Sequence, residues 1–412
     1  MISFRMASTA VAGSFGIALA LAAQASWSGD WQFNPRIELG GQADSNYHLN
    51  LAGAEDSVQG GFGDAQFEFR NAGQVDDFRF TPGVHATKFS RSGSGSGSVS
   101  DDSTDPTLDL NYSHRGLKST VGILGSYSKE SVVRTDRTDT SIAGGGLGNP
   151  TGGDSGYVTI SDRRQLTNVA PSASFDLTQR SHLLLGANYL KVDFDREIAG
   201  AYVNSTNFGG SVGIDHELSQ RSTLILRGRY ARFEPNGFAT VDSSGLEAEW
   251  HRHVTQLMES YVRVGALRSS FSAVGATPAP GAVTNVIAGA GVSWNFQITQ
   301  LFLDATRDID PNASGYSVVR DQLRLRISRN LTPKTVLLIG ARGYHDTATG
   351  KVAQYSERKY LVGTVDLHWR FERAWTLAAG YSYAHQRFQF DPAAAESNAG
   401  TISVIYEPNL RE

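Results

Sequence analysis

Gly315-Tyr-Ser-Val-Val-Arg320-Asp-Gln-Leu-Arg-Leu325-Arg-Ile-Ser-Arg-Asn330 is the stretch on which the fold is decided. Taken alternately, Arg320, Gln322, Arg324, Arg326 and Ser328 are polar, whereas Leu323, Leu325 and Ile327 are aliphatic. A period of two marks a strand with one wet and one apolar face. A tight break at Leu331-Thr332-Pro333 follows, and a second apolar-rich strand opens at Thr335. Strand, short turn, strand, longer polar segment is then the unit of most of the chain. Short turns fall at Thr178-Gln179-Arg180-Ser181, Ser219-Gln220-Arg221-Ser222, Thr255-Gln256, Ile298-Thr299-Gln300, Leu331-Thr332-Pro333 and Glu372-Arg373-Ala374. Longer segments are read near Glu197 to Tyr202, Pro235 to Asp242, Ser272 to Gly281, Asp308 to Ser314, Thr347 to Gln354 and Gln389 to Asn398.

Short connections at one end and long ones at the other are the asymmetry of outer-membrane barrels. The pattern predicts an all-β fold: a transmembrane up-and-down antiparallel β-barrel of about eighteen strands. Sixteen is the alternative, with the weak signals near Asp64 and Asp76 placed in loops. Leu323, Leu325 and Ile327 then face membrane lipid and the arginines a wet lumen. Tyr127, Tyr189, Tyr230, Trp250, Trp294, Trp369, Trp375, Tyr381, Tyr383 and Tyr406 recur near strand ends, as interfacial girdles do. A soluble β-sandwich would share this parity, but not the loop asymmetry and strand count together.

Composition agrees with this reading. Of 412 residues, 40% are hydrophobic and 19% charged, with a net charge of -4. That balance gives no argument for a nucleic-acid partner. Cysteine is absent, which excludes disulfides, thiolate catalysis and cysteine-ligated metals. The N-terminus reads as a secretory leader over residues 1–25. Arg5 is its basic region, Val11 to Ala23 its apolar core and Ala23-Gln24-Ala25 a small-x-small cleavage site. Residues 26–412 are the barrel domain. Ser90 to Ser103 is a Gly/Ser tract and reads as flexible, and Val132 to Asp162 is the longest loop. That loop is long enough to fold inward as a constriction or to serve extracellular recognition.

Parity assigns a cationic lumen set of Arg36, Arg70, Arg79, Arg164, Arg227, Arg229, Arg320, Arg324, Arg326, Arg358 and Arg370. The anionic set is Glu38, Glu68, Asp109, Asp176, Asp215, Glu217, Glu247, Glu249, Asp304 and Asp366. Arg227 and Arg229 form one ladder, with acids on the strands beside it. Sideways pairing there would stiffen the wall. Arg320, Arg324 and Arg326 form a second ladder with fewer acids beside it, so this one is expected to stabilise a passing acidic sugar polymer through bidentate carboxylate contacts. Arg358 and Arg370 complete the path candidates. Glu249, His251 and His253 have a metal-like i, i+2, i+4 spacing, but read as polar residues near a turn. No nucleophile-base arrangement, cofactor or metal is expected.

The mature start, Trp31, Pro35, Gly40-Gly41 and Ala43-Asp44-Ser45-Asn46, resembles that of the β-barrel porin 2 family. Members are outer-membrane barrels associated with exopolysaccharide biosynthesis and exosortase loci. The resemblance implies a polysaccharide-export pore working with a periplasmic polysaccharide-export protein and folded by the barrel-assembly machinery. Asp44, Ser45 and Asn46 also read, more simply, as an Asx-type turn after the first strand. A diffusion porin for small solutes, and a closed barrel serving as an envelope scaffold, remain open alternatives. Enzyme activity is not expected.

Overall fold

Eighteen strands carry the alternating pattern, and each pairs antiparallel with the next in sequence. A computed structural model describes residues 30–93, 102–134, 162–198, 201–273, 281–350, 356–390 and 393–408. The strands are β1 Asp30–Asp44, β2 Asp56–Ala72, β3 Asp76–Gly93, β4 Ser103–Arg115, β5 Ser119–Ser131 and β6 Arg163–Asp176. Next come β7 Ser181–Phe194, β8 Ser205–Ser219, β9 Ser222–Pro235, β10 Val241–Thr255, β11 Met258–Phe271 and β12 Val283–Asn295. The last six are β13 Thr299–Pro311, β14 Ser317–Thr332, β15 Thr335–Ala348, β16 Arg358–Glu372, β17 Trp375–Phe388 and β18 Ala395–Tyr406. β1 also pairs with β18, from Ile37↔Tyr406 to Asp44↔Ala399, and this closes the ring. Closure leaves no backbone edge, the condition for a sheet to cross a bilayer.

β2 and β3 contain Asp64 and Asp76, so the count is eighteen rather than sixteen. Several segments read as loops are shorter than expected. Asp308 to Pro311 continue β13, and Ala395 to Asn398 open β18. Ser90 to Gly93 likewise belong to β3; the rest of the Gly/Ser tract to 101 lies outside the described residues, as do the leader and 135–161 of the longest loop. Register shifts sit beside four short turns, at Glu217/Ser219, His253/Thr255, Asn330/Thr332 and Arg370/Glu372. Confined to the turns, these bulges leave the in-out parity of the strands intact.

The outer face is apolar and bare. Leu39, Leu246, Leu323, Val264, Val286 and Ile402 are all more than half exposed. A soluble monomer rarely shows an apolar surface of this extent, and in a bilayer it is the lipid contact. Trp31, Trp250, Trp294, Trp369 and Trp375 border it at the short-turn end, where the Trp375 and Tyr406 rings lie 4.8 Å apart. The chain is an outer-membrane β-barrel.

Candidate functional site

The inner wall is the site, and it begins with two missing side chains. Gly289 and Gly291 face inward on β12, opposite Arg263 and Tyr261 of β11. A Cβ at Gly289 would stand 3.3 Å from the Tyr261 hydroxyl and 3.5 Å from Arg263 Nε. Tyr261 and Arg263 therefore lie across β12 and reach β13. The Tyr261 hydroxyl donates to Asp304, whose other oxygen accepts from Arg324 Nε at 3.1 Å and Nη2 at 2.6 Å. Arg263 donates to Asp308 at 3.0 Å, and Arg229 reaches the same carboxylate at 3.2 Å. Glu247 accepts from Arg227 at 2.5 Å and from Arg229 at 3.0 Å. The network spans β9 to β14, and its acids are nearly wholly buried. Buried charges are tolerated when paired in this way.

A second cluster continues on β14 to β17. Arg320 grips Asp346 through two bonds of 2.7 and 2.6 Å. Its guanidinium carbon lies 4.3 Å from the Tyr344 ring centre, and those of Arg342 and Arg358 lie at 5.1 and 5.5 Å from the same ring. Arg358 also faces Tyr360 at 4.9 Å and donates to Gln386 Oε1 at 3.0 and 2.6 Å. Planar, weakly hydrated guanidinium groups stack on aromatic faces where ammonium groups would not.

Loops roof this wall at the long-loop end. Tyr47 and Leu49 after β1, Val132 and Val133 after β5, Tyr202 after β7 and Ala313 after β13 form one buried apolar cluster. It packs on wall residues Phe194, Tyr344, Tyr360, Val362, Ala384 and Ala395. Val203 N–H donates to the Ala313 carbonyl at 2.8 Å, so loops from far-apart hairpins are hydrogen-bonded to each other. Leu49 is fully buried yet holds φ at 50°, a left-handed conformation that costs a leucine about 1–2 kcal/mol. Burial of its side chain, roughly 1.5–3 kcal/mol, offsets that strain.

The Asp44-Ser45-Asn46 motif lies at the closing seam. Asp44 Oδ1 accepts the Asn46 N–H at 2.8 Å, the geometry of an Asx turn. The same atom accepts the Ser397 hydroxyl at 2.6 Å, and Asn46 Nδ2 donates to the carbonyls of Asn50 and Glu396 at 2.8 and 3.0 Å. Ser45 exchanges bonds with Asn398. The motif clasps β1 to β18.

The sequence expected fewer acids beside the second arginine ladder. The structure corrects this: Asp304 and Asp346 flank it and hold Arg324 and Arg320, both nearly buried. Arg326 alone of that ladder is exposed, with no ion pair or hydrogen bond among the described residues. Arg227 and Arg229 stand within the Glu247 network, Arg358 is buried, and Arg370 donates to the Pro333 carbonyl at 3.2 Å near the short turns. Sequence reading missed Tyr261, Arg263, Asp308, Arg342 and Asp346. Tyr261 and Arg263 share an alternate set with Glu259, a signal that was present; Asp308 was hidden by its assignment to a loop. Glu249 and His251 hydrogen-bond each other, and His251 Nδ1 lies 3.5 Å from Glu259. No group of three or more metal-ligating side chains occurs among the described residues.

Fold and inner wall define a membrane-spanning barrel with a charged, partly roofed lumen. No family model matches the chain, and no curated protein does. Among solved structures it is similar to OpdQ of Pseudomonas aeruginosa, at 10% identity and a TM-score of 0.45, over 92% of this chain and 98% of that one. It is also similar to OccK2 of the same organism, solved with glucuronate, at 10% identity and 0.46, over 91% and 98%. OccAB2 of Acinetobacter baumannii gives 10% identity and 0.46 over the same shares. At that identity no lumen residue of this chain is assigned from them.

Proposed function

We propose that the protein is a narrow channel for passive entry of small hydrophilic solutes, acidic ones favoured. The observation that carries this reading is the apolar roof of Tyr47, Leu49, Val132, Val133 and Tyr202. A polysaccharide strand would have to displace these side chains together, each worth roughly 1.5–3 kcal/mol of burial. A small solute needs a far narrower opening than a polymer strand does. Export of a polymer, implied by the family resemblance, therefore finds no support in the geometry.

The acidic preference rests on the inward arginines of β9 to β16. Most are neutralised by Glu247, Asp304, Asp308 and Asp346 and act as rigid wall. Arg326 stands exposed on the wet side and supplies a fixed positive charge to the lower lumen. Low-dielectric walls focus such a field on passing ions.

Planar-bilayer conductance together with liposome swelling tests the proposal. Sugars of graded size should enter progressively more slowly and stop at oligosaccharides. Passage of long polysaccharide at a rate close to that of monosaccharide would refute it. Absence of any conductance would make the barrel a closed one.

A further inference from the structure

One surface feature has no part in the lumen. Where the β8–β9 turn meets the end of β10, an open cavity of ≈ 520 Å³ is lined by residues that include Gln220, Arg221, Ser222, Trp250, Arg252 and His253. The turn is pinned to β10 by the His253 N–H, which donates to the Arg221 carbonyl at 2.9 Å. Trp250 Nε1 donates to Ser222 Oγ at 2.6 Å, which fixes the indole, and the Arg252 guanidinium carbon stands 5.8 Å from its ring centre. The lining contains no acid. The side chains of Arg221, Arg252 and His253 make no ion pair among the described residues. Two arginines and a histidine gathered in one concavity, with no acid in its lining, make a surface complementary to an anion from outside the chain.

What lies next to the cavity narrows the choice. Register places Arg252 opposite Ser222, then Trp250 opposite Leu224, then Ala248 opposite Leu226, then Leu246 opposite Gly228. Leu226 and Leu246 are 55% and 73% exposed, and Ile214 and Val212 of β8 extend the same outward shelf. A cationic hollow at the short-turn rim thus opens directly onto a bare apolar face, with a tryptophan between. Tryptophan prefers this boundary, where one part of the ring is apolar and the N–H finds a polar partner.

We propose that this hollow binds the phosphate of a glycerophospholipid in the leaflet at the short-turn side, with the acyl chains along Leu226, Leu246 and Ile214. Arginine forks suit phosphate oxygens. The ligand chemistry is a phosphate group, and two sources share it: a lipid and free phosphate. The apolar shelf selects the lipid.

The test is native mass spectrometry of the detergent-solubilised mature barrel titrated with phosphatidylglycerol. Arg221→Gln with Arg252→Gln should reduce lipid retention at least ten-fold, with single-channel conductance unchanged as proof of folding. Arg268→Gln, an exposed arginine on the outer face of β11 toward the opposite rim, should leave retention as it was. Equal retention by the double variant and the parent overturns the site. Displacement of the lipid by equimolar inorganic phosphate overturns the lipid assignment. In the parent protein, phosphatidylglycerol with brominated chains should quench fluorescence that Trp250→Phe removes; no difference between the two counts against the proposal even if the double variant fails to fold.

Discussion

Asp308 of β13 lies 3.2 Å from Arg229 of β9, although β10, β11 and β12 stand between them. The contact is made over the inner faces of those strands, so the wall is braced across an arc rather than only between neighbours. The empty faces of Gly289 and Gly291 open the way for Arg263 to join at the same carboxylate.

Gly289→Leu fills that passage. Tyr261 and Arg263 would have to leave their partners, and overpacking of this kind costs about 1–3 kcal/mol. The thermal midpoint of the detergent-folded barrel should fall, while Gly41→Leu, where the nearest atom to a Cβ stands at 3.6 Å, should fall less. Equal losses would show that β12 is not a specific crossing.

Asp304 serves two partners, Tyr261 and Arg324. Asp304→Ala strands a nearly buried guanidinium and a buried hydroxyl, and removal of one member of a buried pair costs roughly 3–5 kcal/mol. Urea unfolding into lipid vesicles measures it. Asp304→Ala with Arg324→Met should recover much of the loss; no recovery would mean the pair is not coupled.

Arg324 and Arg326 are two residues apart and face the same way, yet they should behave differently. Arg326→Glu reverses an exposed charge, so reversal potentials in a salt gradient should shift toward cation preference with stability little changed. Arg324→Glu sets a carboxylate against Asp304 and should lower folding yield first. If Arg326→Glu leaves selectivity unaltered, Arg326 does not face the conducting path.

Leu49→Asp with Tyr202→Asp puts charges into the roof. Burying a charge without a partner is prohibitive, so the loops should leave the cluster and single-channel conductance should rise several-fold. An unchanged conductance would show that the roof is not the constriction.

Asn46→Ala removes the bridge from the first loop to the Glu396 and Asn50 carbonyls. Unmade buried hydrogen bonds cost about 1–3 kcal/mol. The seam between β1 and β18 should open first, read as faster amide exchange in β18 than in β9. Uniform exchange in the two strands would contradict the clasp.

The two-residue alternation of Leu323, Leu325 and Ile327 against Arg320, Arg324 and Arg326, repeated along the chain between short turns and longer segments, was enough to give the barrel and its lipid face. That follows because facing is a local property of a pleated strand, fixed by parity wherever bulges stay at the turns. Which acid meets which arginine was not local. Asp308 reaches Arg229 only because the wall curves, and Arg263 reaches Asp308 only because Gly289 has no side chain. The roof of Leu49, Val132 and Tyr202 depends on loops from distant hairpins meeting inside the ring. Closure of the ring brings those loops together, and a sequence read one strand at a time does not contain that closure.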